Sequence, residues 1–352
     1  MNKKIICFID SFNSGGAQKQ MAMLANGLSK NNQVTTLQYH DLNFFSRLLE
    51  NNISQKKILT RNRLMRIIKI LLYLNKKNPE VIISFLHGPN NYAAIYKMVF
   101  FWRRVTLIVG ERNLNYNGLK LKDLIIRFSH LFAKFIVCNS NAQKIVLSKY
   151  FKRKLYFIPN GTDFKFNNQT SETKKTKSKQ VKLVVAARFI KQKNPLGLIK
   201  AIEKMDNVSV YWYGELFKYL PIYDQAIEYI KNNEVNNFYI MGSSENIYAE
   251  FEKYDAMILP SYYEGCPNAI IDGMFCKMPI LASDVSDNKL YLEHQGYLLF
   301  DPFNPKDISS KIKVFLSLDN DALNTISKQN FKYAKKYFDH KTMINNYLKL
   351  IE

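Results

Sequence analysis

The sequence predicts an α/β protein made of two doubly wound domains, each a parallel sheet covered by helices on both faces. Short apolar runs rich in β-branched residues alternate with helical patterns along nearly the whole chain. The alternation stops once, in a polar Lys-, Thr- and Ser-rich stretch at 165–180, and then restarts. The 352 residues suffice for two or three domains at ~150 residues each. The expected division is therefore 1–164, a linker at 165–180, and 181–352. Strand–helix alternation implies parallel pairing, because a crossover connection has to return the chain to the same sheet edge.

The first domain opens with K-K-I-I-C-F-I-D, a strand, followed by a Gly-containing loop at 11–16 and a helix at 17–28. Helical patterns at 63–77, 92–104 and 122–134 precede strands at 80–85, 105–109 and 135–138, and a strand at 154–159 closes the domain. In the second domain, strands at 182–187, 208–213, 237–241, 256–260 and 279–282 interleave with helices at 194–203, 223–232, 246–253 and 268–276. Helices at 306–316 and 323–349 end the chain. Ligands in open α/β sheets bind at the carboxyl ends of the strands, so two such domains are expected to face a cleft.

Composition removes several classes. A 47% hydrophobic and 23% charged chain is neither disordered nor collagen-like. The apolar run from Ile5 to Ile9 is too short for a signal-peptide core, and no window of ~18 charge-free apolar residues follows. The expectation is a soluble chain. Cys7, Cys138, Cys266 and Cys276 form no C-x-x-C pair and have no histidines at zinc spacing, which fits reduced thiols in a cytoplasm. The five histidines are scattered, so no metal site and no cofactor are expected. The net charge of +22 is one-sided: residues 1–160 hold 26 basic and 6 acidic side chains, a net of +20, and residues 161–352 hold 25 and 23, a net of +2. A one-sided excess suggests that one domain faces a polyanion, either nucleic acid or an anionic membrane.

Four places combine residues with chemistry. The densest is P-S-Y-Y-E-G-C-P-N-A-I-I-D-G-M at 260–274, a strand feeding a Pro/Gly turn and a helix that begins near Pro267 and Asn268. Unpaired N–H groups at a helix start attract anions, and the ionised Glu264 and Asp272 beside them suit sugar hydroxyls. On spacing alone, a solvated or helix-capping role is the commoner reading for both acids. The second place is A-R-F-I-K-Q-K-N-P at 187–195, where Arg188 and Lys193 bracket a strand-to-helix loop. They read either as a diphosphate clamp or as an ordinary basic surface loop. Third, Gly15 and Gly16 after the first strand allow close backbone approach to a ligand, or simply make a turn. Fourth, His87, Glu111, Arg112 and Asn113 follow strand ends of the first domain and are candidates to face the cleft, with a packed or capping role open to His87.

In order and spacing, these segments, with S-N-A-Q-K at 140–144 and I-P-N-G-T-D at 158–163, resemble the family-4 retaining glycosyltransferases (glycosyl transferases group 1) over nearly the whole chain. The resemblance implies a GT-B fold of two Rossmann-like domains, the first binding the acceptor and the second the nucleotide sugar, with the last helix packing back on the first. It implies metal-independent transfer of a hexose or N-acetylhexosamine. Arg188 and Lys193 then contact the donor diphosphate, Glu264 lies by the donor sugar, and Asp272 holds the ribose. The family usually carries Glu at the position of Asp272. Gly15, Gly16, Pro267 and Asn268 line the donor, which family frequency makes a uridine diphosphate sugar, and His87, Glu111, Arg112 and Asn113 lie on the acceptor side.

With such a function, the +20 of the first half points to a peripheral enzyme on the inner face of the plasma membrane, extending a polyprenyl-diphosphate-linked or polysaccharide glycan. Arg61, Arg63, Arg66 and Lys69 lie in or beside the 63–77 helix, and M-V-F-F-W-R-R at 98–104 sets aromatics beside cations. The apolar face of 63–77 is expected to cover the sheet. A basic nucleic-acid-binding protein is the weaker alternative, since no recognition motif is present. A non-catalytic partner subunit is the other, because Asp272 replaces Glu.

Overall fold

In a computed structural model of the chain, the structure describes residues 2–112, 127–151, 154–163, 179–244 and 246–352. The chain divides into two units, one of Met1–Gly161 with His340–Glu352, the other of Thr162–Asp339. The first contains β1 (Lys4–Phe8), α1 (Gly16–Ser29), β2 (Gln33–Gln38), β3 (Ser54–Lys57), α2 (Arg63–Lys77), β4 (Val81–Phe85), α3 (His87–Val99), β5 (Thr106–Glu111), the single turn α4 (Ser129–Phe132), β6 (Phe135–Cys138), α5 (Asn141–Phe151) and β7 (Leu155–Phe157). Its parallel sheet has the order β3-β2-β1-β4-β5-β6-β7.

The second unit contains β8 (Val181–Ala186), α6 (Pro195–Ile202), β9 (Val208–Tyr213), α7 (Pro221–Asn232), β10 (Phe238–Gly242), α8 (Ile247–Phe251), β11 (Ala256–Leu259), α9 (Asn268–Phe275), β12 (Ile280–Ser283), α10 (Asn288–Tyr291), β13 (Leu299–Phe300), α11 (Pro305–Ser317) and α12 (Asn320–Tyr337). Its sheet, also parallel, runs β10-β9-β8-β11-β12-β13. The last helix, α13 (His340–Ile351), belongs to the first unit.

The apolar runs are continuous because both faces of each sheet are covered. In β1, Ile5 and Cys7 join the core made with α1 and α13, while Ile6 and Phe8 join the one made with Ile70 and Leu74 of α2 and Ala93 of α3. Gly27 lets α13 approach α1: a Cβ there would lie within 2.2 Å of Ile344 Cδ1. Asn62 caps α2 by accepting from the Met65 N–H at 3.1 Å, and Asn78 ends it in a left-handed conformation at φ 46°.

Several expectations need correction. The 92–104 helix starts at His87 and ends at Val99. β2 and β3 carry no clear sequence signal; Ser54–Lys57 is exposed throughout, held by its ladder to β2, with lysines at the open edge. The 323–349 helix is two helices. At the break, the Phe338 carbonyl accepts from the Thr162 N–H at 2.8 Å and Asp339 bridges Thr162, so strand pairing claims backbone that a helix would use. The apolar face of α2 does not simply cover the sheet: Ile70 and Leu74 are buried, but Leu64, Met65, Ile68 and Leu72 are exposed. Of the 122–134 helix, residues 122–126 lie outside the described residues, as do 165–178 of the linker.

Gly214, just past β9, shows how closely neighbouring strand ends are fitted. It sits at φ 153°, and a Cβ would lie 2.0 Å from the Ala187 carbonyl oxygen, which accepts from Trp212 Nε1 at 2.7 Å. Gly214→Ala should therefore destabilise the protein by about 2–3 kcal/mol, from strain and overpacking combined. A urea midpoint unchanged from that of the wild type would refute this.

Candidate active site

In each sheet, the chain reverses its direction of progress between two adjacent strands: β1 and β4 in the first unit, β8 and β11 in the second. Loops leaving two such strands go to opposite faces and open a crevice at the carboxyl ends. Most of the residues singled out by the sequence lie at these two places.

In the second unit, the loop after β8 is pinned by backbone bonds from Ala187 N–H to Tyr213 O (2.8 Å) and from Phe189 N–H to Glu215 O (2.9 Å). Phe189 is buried, and between these anchors Arg188 extends into solvent. A single 3-10 turn, Lys191–Lys193, ends at Asn194 in a left-handed conformation, φ 56°. The Asn194 side chain accepts from the Gly197 N–H (3.1 Å), which caps α6, and donates to Pro302 O (2.7 Å). Pro195 takes the first helical position.

The loop after β11 is strapped to this turn. Gln192 Nε2 donates to Tyr263 O (2.8 Å), and the Tyr262 N–H donates to Gln192 O (2.9 Å). The strap brings Lys193 Nζ to 2.5 Å from Glu264 Oε1, with the two side chains 15% and 7% exposed. In an ion pair so little wetted the attraction is screened far less than at the surface, yet both groups keep an edge towards solvent. Pro267 then caps α9, which begins at Asn268. The first-turn N–H groups lack intrahelical acceptors and carry partial positive charge. Asp272 lies one turn in and is buried. Its Oδ1 accepts from Thr162 Oγ1 at 2.9 Å and from the Tyr248 hydroxyl at 3.1 Å.

In the first unit, Gly15 caps α1 and its N–H donates to Asn13 Oδ1 at 3.1 Å. A Cβ at Gly15 would lie 2.1 Å from Oε1, the far end of the Gln18 side chain, whose Nε2 reaches back to Asp10 Oδ1 at 3.1 Å. Gly16 is the exposed first residue of the helix. His87, half-buried, begins α3 directly after Leu86, a non-glycine residue held at φ 75°. Backbone strain of this kind gathers at functional sites.

Glu111 and Arg112 differ from the expected arrangement. The strand runs on to Glu111, which pairs in register with Cys138 of β6, so consecutive side chains point to opposite faces. Glu111 turns inward: Arg127 Nε and Nη2 donate to its two oxygens at 2.7 and 3.2 Å, and His130 Nε2 lies 3.3 Å away. Burial pushes the Glu111 carboxyl up, but the His130 imidazole at its edge, with the charge of Arg127, outweighs this and holds its pKa at about 2. Arg112 is buried on the other side, 3.5 Å above the centre of the Phe85 ring. Its Nη1 donates to Asn160 Oδ1 (3.0 Å) and its Nη2 to the Tyr347 hydroxyl of α13 (2.8 Å). Both residues thus bind the strand end to its surroundings. Asn113 lies outside the described residues.

The fold thus joins Lys193 to Glu264, lays Pro267, Asn268 and Asp272 along the same loop and helix, and sets Arg188 on the adjoining loop. Sequence reasoning missed Gln192, Asn194, Thr162 and Tyr248, which position these groups. Gln192 and Asn194 lay inside A-R-F-I-K-Q-K-N-P and Thr162 inside I-P-N-G-T-D, while Tyr248 carried no signal. Among the described residues, no cluster of three or more His, Cys, Asp or Glu could hold a metal ion.

Residues 167–335 match the family Glycosyl transferases group 1. A Campylobacter jejuni protein, GalNAc-alpha-(1->4)-GalNAc-alpha-(1->3)-diNAcBac-PP-undecaprenol alpha-1,4-N-acetyl-D-galactosaminyltransferase, is 25% identical over 99% of this chain and 98% of its own. Among solved structures, Anabaena HepE in complex with UDP and glucose has a TM-score of 0.86 at 18% identity, covering 99% of both chains. A glycosyltransferase from Rickettsia africae has a TM-score of 0.82 at 15% identity, covering 100% of this chain and 98% of its own. The two parallel sheets with their helices are the GT-B fold.

The depressed pKa of Glu111 has a consequence for acid stability. Its ionised form contributes stability that is complete above the unfolded value of ~4.3 and is lost as pH falls towards about 2. Glu111→Gln leaves Arg127 buried without its carboxylate and should cost about 3–5 kcal/mol at pH 7. The gap to wild type should narrow between pH 4 and pH 2 in chemical denaturation; a gap constant with pH would contradict the assignment.

Proposed function

We propose that this chain, which has the GT-B fold, is a group 1 glycosyltransferase that works as a retaining, metal-independent enzyme. It moves a hexose or N-acetylhexosamine from a uridine diphosphate sugar to a lipid-linked glycan. The observation that carries this reading is the pairing of Lys193 with Glu264 at the β8–β11 reversal, with Asp272 one helical turn along. The UDP in the Anabaena structure supports the nucleotide, and the Campylobacter relative, named for a diphosphate-undecaprenol-linked saccharide, supports the acceptor class.

In this reading the sugar C1–O bond to the diphosphate breaks and a C1–O bond to an acceptor hydroxyl forms on the same face. The hydroxyl proton passes to the departing phosphate oxygen. Negative charge grows on the diphosphate as the bond breaks, and preorganised positive charge stabilises it. Arg188 offers a bidentate fork, Lys193 a point charge, and the start of α9 the partial positive charge of a helix N-terminus. Glu264 orients sugar hydroxyls and Asp272 the ribose. Gly16 and His87, at the reversal in the first unit, take the donor and acceptor sides.

The membrane part of the reading rests on the first unit. Among the described residues no helix is long and apolar enough to cross a membrane. Leu64, Ile68 and Leu72 of α2 are exposed beside the exposed Arg63 and Lys69, and Phe101 and Trp102, after α3, are 79% and 60% exposed. Apolar groups ringed by cations suit the headgroup layer of an anionic leaflet, at ~1 kcal/mol per cation.

Two experiments test this. With uridine diphosphate sugars and a polyprenyl-diphosphate-linked oligosaccharide, the wild type should release UDP and extend the glycan. Arg188→Ala combined with Lys193→Ala should lower turnover about 100-fold or more. Undiminished turnover in the double variant would end the proposal, and absence of any UDP release by the wild type would mark a non-catalytic homologue. Separately, the protein should co-sediment with phosphatidylglycerol vesicles at low salt and much less at 0.5 M salt, and Phe101→Ala with Trp102→Ala should weaken binding. Binding indifferent to salt would remove the electrostatic part.

A further inference from the structure

We infer that Thr162 and Tyr248 are positioning residues that set the nucleotide-binding carboxylate of Asp272. The inference rests on the reading above, in which Asp272 holds the ribose.

Asp272 is carried by α9, whose side chains lean back towards its first turn. An aspartate reaches one methylene less far than the glutamate expected at this position, so the direction of its carboxylate matters more. Two hydroxyls from separate parts of the second unit converge on a single oxygen. Thr162 Oγ1 donates to Oδ1 at 2.9 Å, and the Tyr248 hydroxyl donates to the same atom at 3.1 Å. Thr162 is 2% exposed and Asp272 6%. A carboxylate that little wetted has to be held by hydrogen bonds. Two donors on one oxygen also fix the plane of the group, and with it the direction of the second oxygen.

Each donor is itself anchored. Thr162 is the first residue after the chain passes from one unit into the other. Its N–H donates to Phe338 O at 2.8 Å, and it bridges Asp339. Tyr248 stands in α8, whose start is capped by Asn246 accepting from the Ala249 N–H at 3.3 Å. Its ring meets Phe251 edge-on at 6.3 Å. The two hydroxyls therefore reach Asp272 from backbone that is already fixed, as preorganisation of a short carboxylate requires.

The test measures, by calorimetry, the affinity of the full chain for whichever of UDP, GDP and ADP binds tightest, and for the 2′,3′-dideoxy form of that nucleotide. Asp272→Asn should weaken the ribonucleotide and leave the dideoxy form nearly unaffected. Thr162→Val and Tyr248→Phe should each do the same, by about tenfold or more, the scale of one hydrogen bond to a charged group. Thr162→Ser, which restores the hydroxyl, should return to wild-type preference. If Thr162→Val folds poorly, Tyr248→Phe, which keeps the ring contact, carries the test. Should Asp272→Asn lose the preference for the ribonucleotide while Thr162→Val and Tyr248→Phe keep it, or weaken both nucleotides equally, the two hydroxyls only stabilise the fold and the inference fails. Should Asp272→Asn itself leave the preference intact, the ribose assignment fails, and the inference with it.

Discussion

Everything in the second unit depends on β8 and β11 lying side by side while their connections leave for opposite faces. The pair is parallel, with Ala256 opposite Leu183 and Met257 opposite Val184. Residues 71 apart in sequence are thereby brought to the carboxyl ends of two neighbouring strands, and the Gln192 strap completes the approach of Lys193 to Glu264. Neither loop could place its charge alone. The first carries cations above an anchored turn, and the second carries an acid ahead of a helix whose N-terminal dipole favours anions. Parallel pairing, which has no short hairpin to satisfy, makes this convergence possible at the cost of long connections.

The two units treat charge differently. In the first, Glu111, Arg127 and Arg112 are withdrawn from water and engaged. Buried pairs of this kind contribute little net stability, because desolvation offsets attraction, but losing one partner is costly. Their effect is to hold the end of β5, with Arg112 linking it to Phe85 and to α13. Gly110 makes room for this stack: a Cβ there would lie 2.4 Å from Phe85 Cδ1. In the second unit, Arg188 is exposed and the Lys193–Glu264 pair keeps an open edge, so charge remains available to a ligand.

Legibility followed burial. The helix at 63–77 and the strands at 135–138 and 208–213 are found where the sequence predicts them, because caps or two-sided burial mark them. The edge strand β3, S-Q-K-K, could not be recognised, since hydrogen bonds to β2 alone define it. In the site, Arg188, Lys193, Glu264 and Asp272 were legible as motif positions. The inward engagement of Glu111 and Arg112 was not, since Arg127 and Tyr347 lie 16 and 235 residues away.

The sequence by itself determined the α/β alternation, the division into two sheets and the loops that carry the chemistry. These follow from apolar periodicity, turn residues and charge, all of which act over a few neighbouring positions. The tertiary structure decided which charges meet and which are sealed away, which apolar side chains of α2 remain exposed, and that the long final helix breaks at Phe338. Those outcomes depend on partners distant in the chain, and distance along a sequence carries no record of proximity in space.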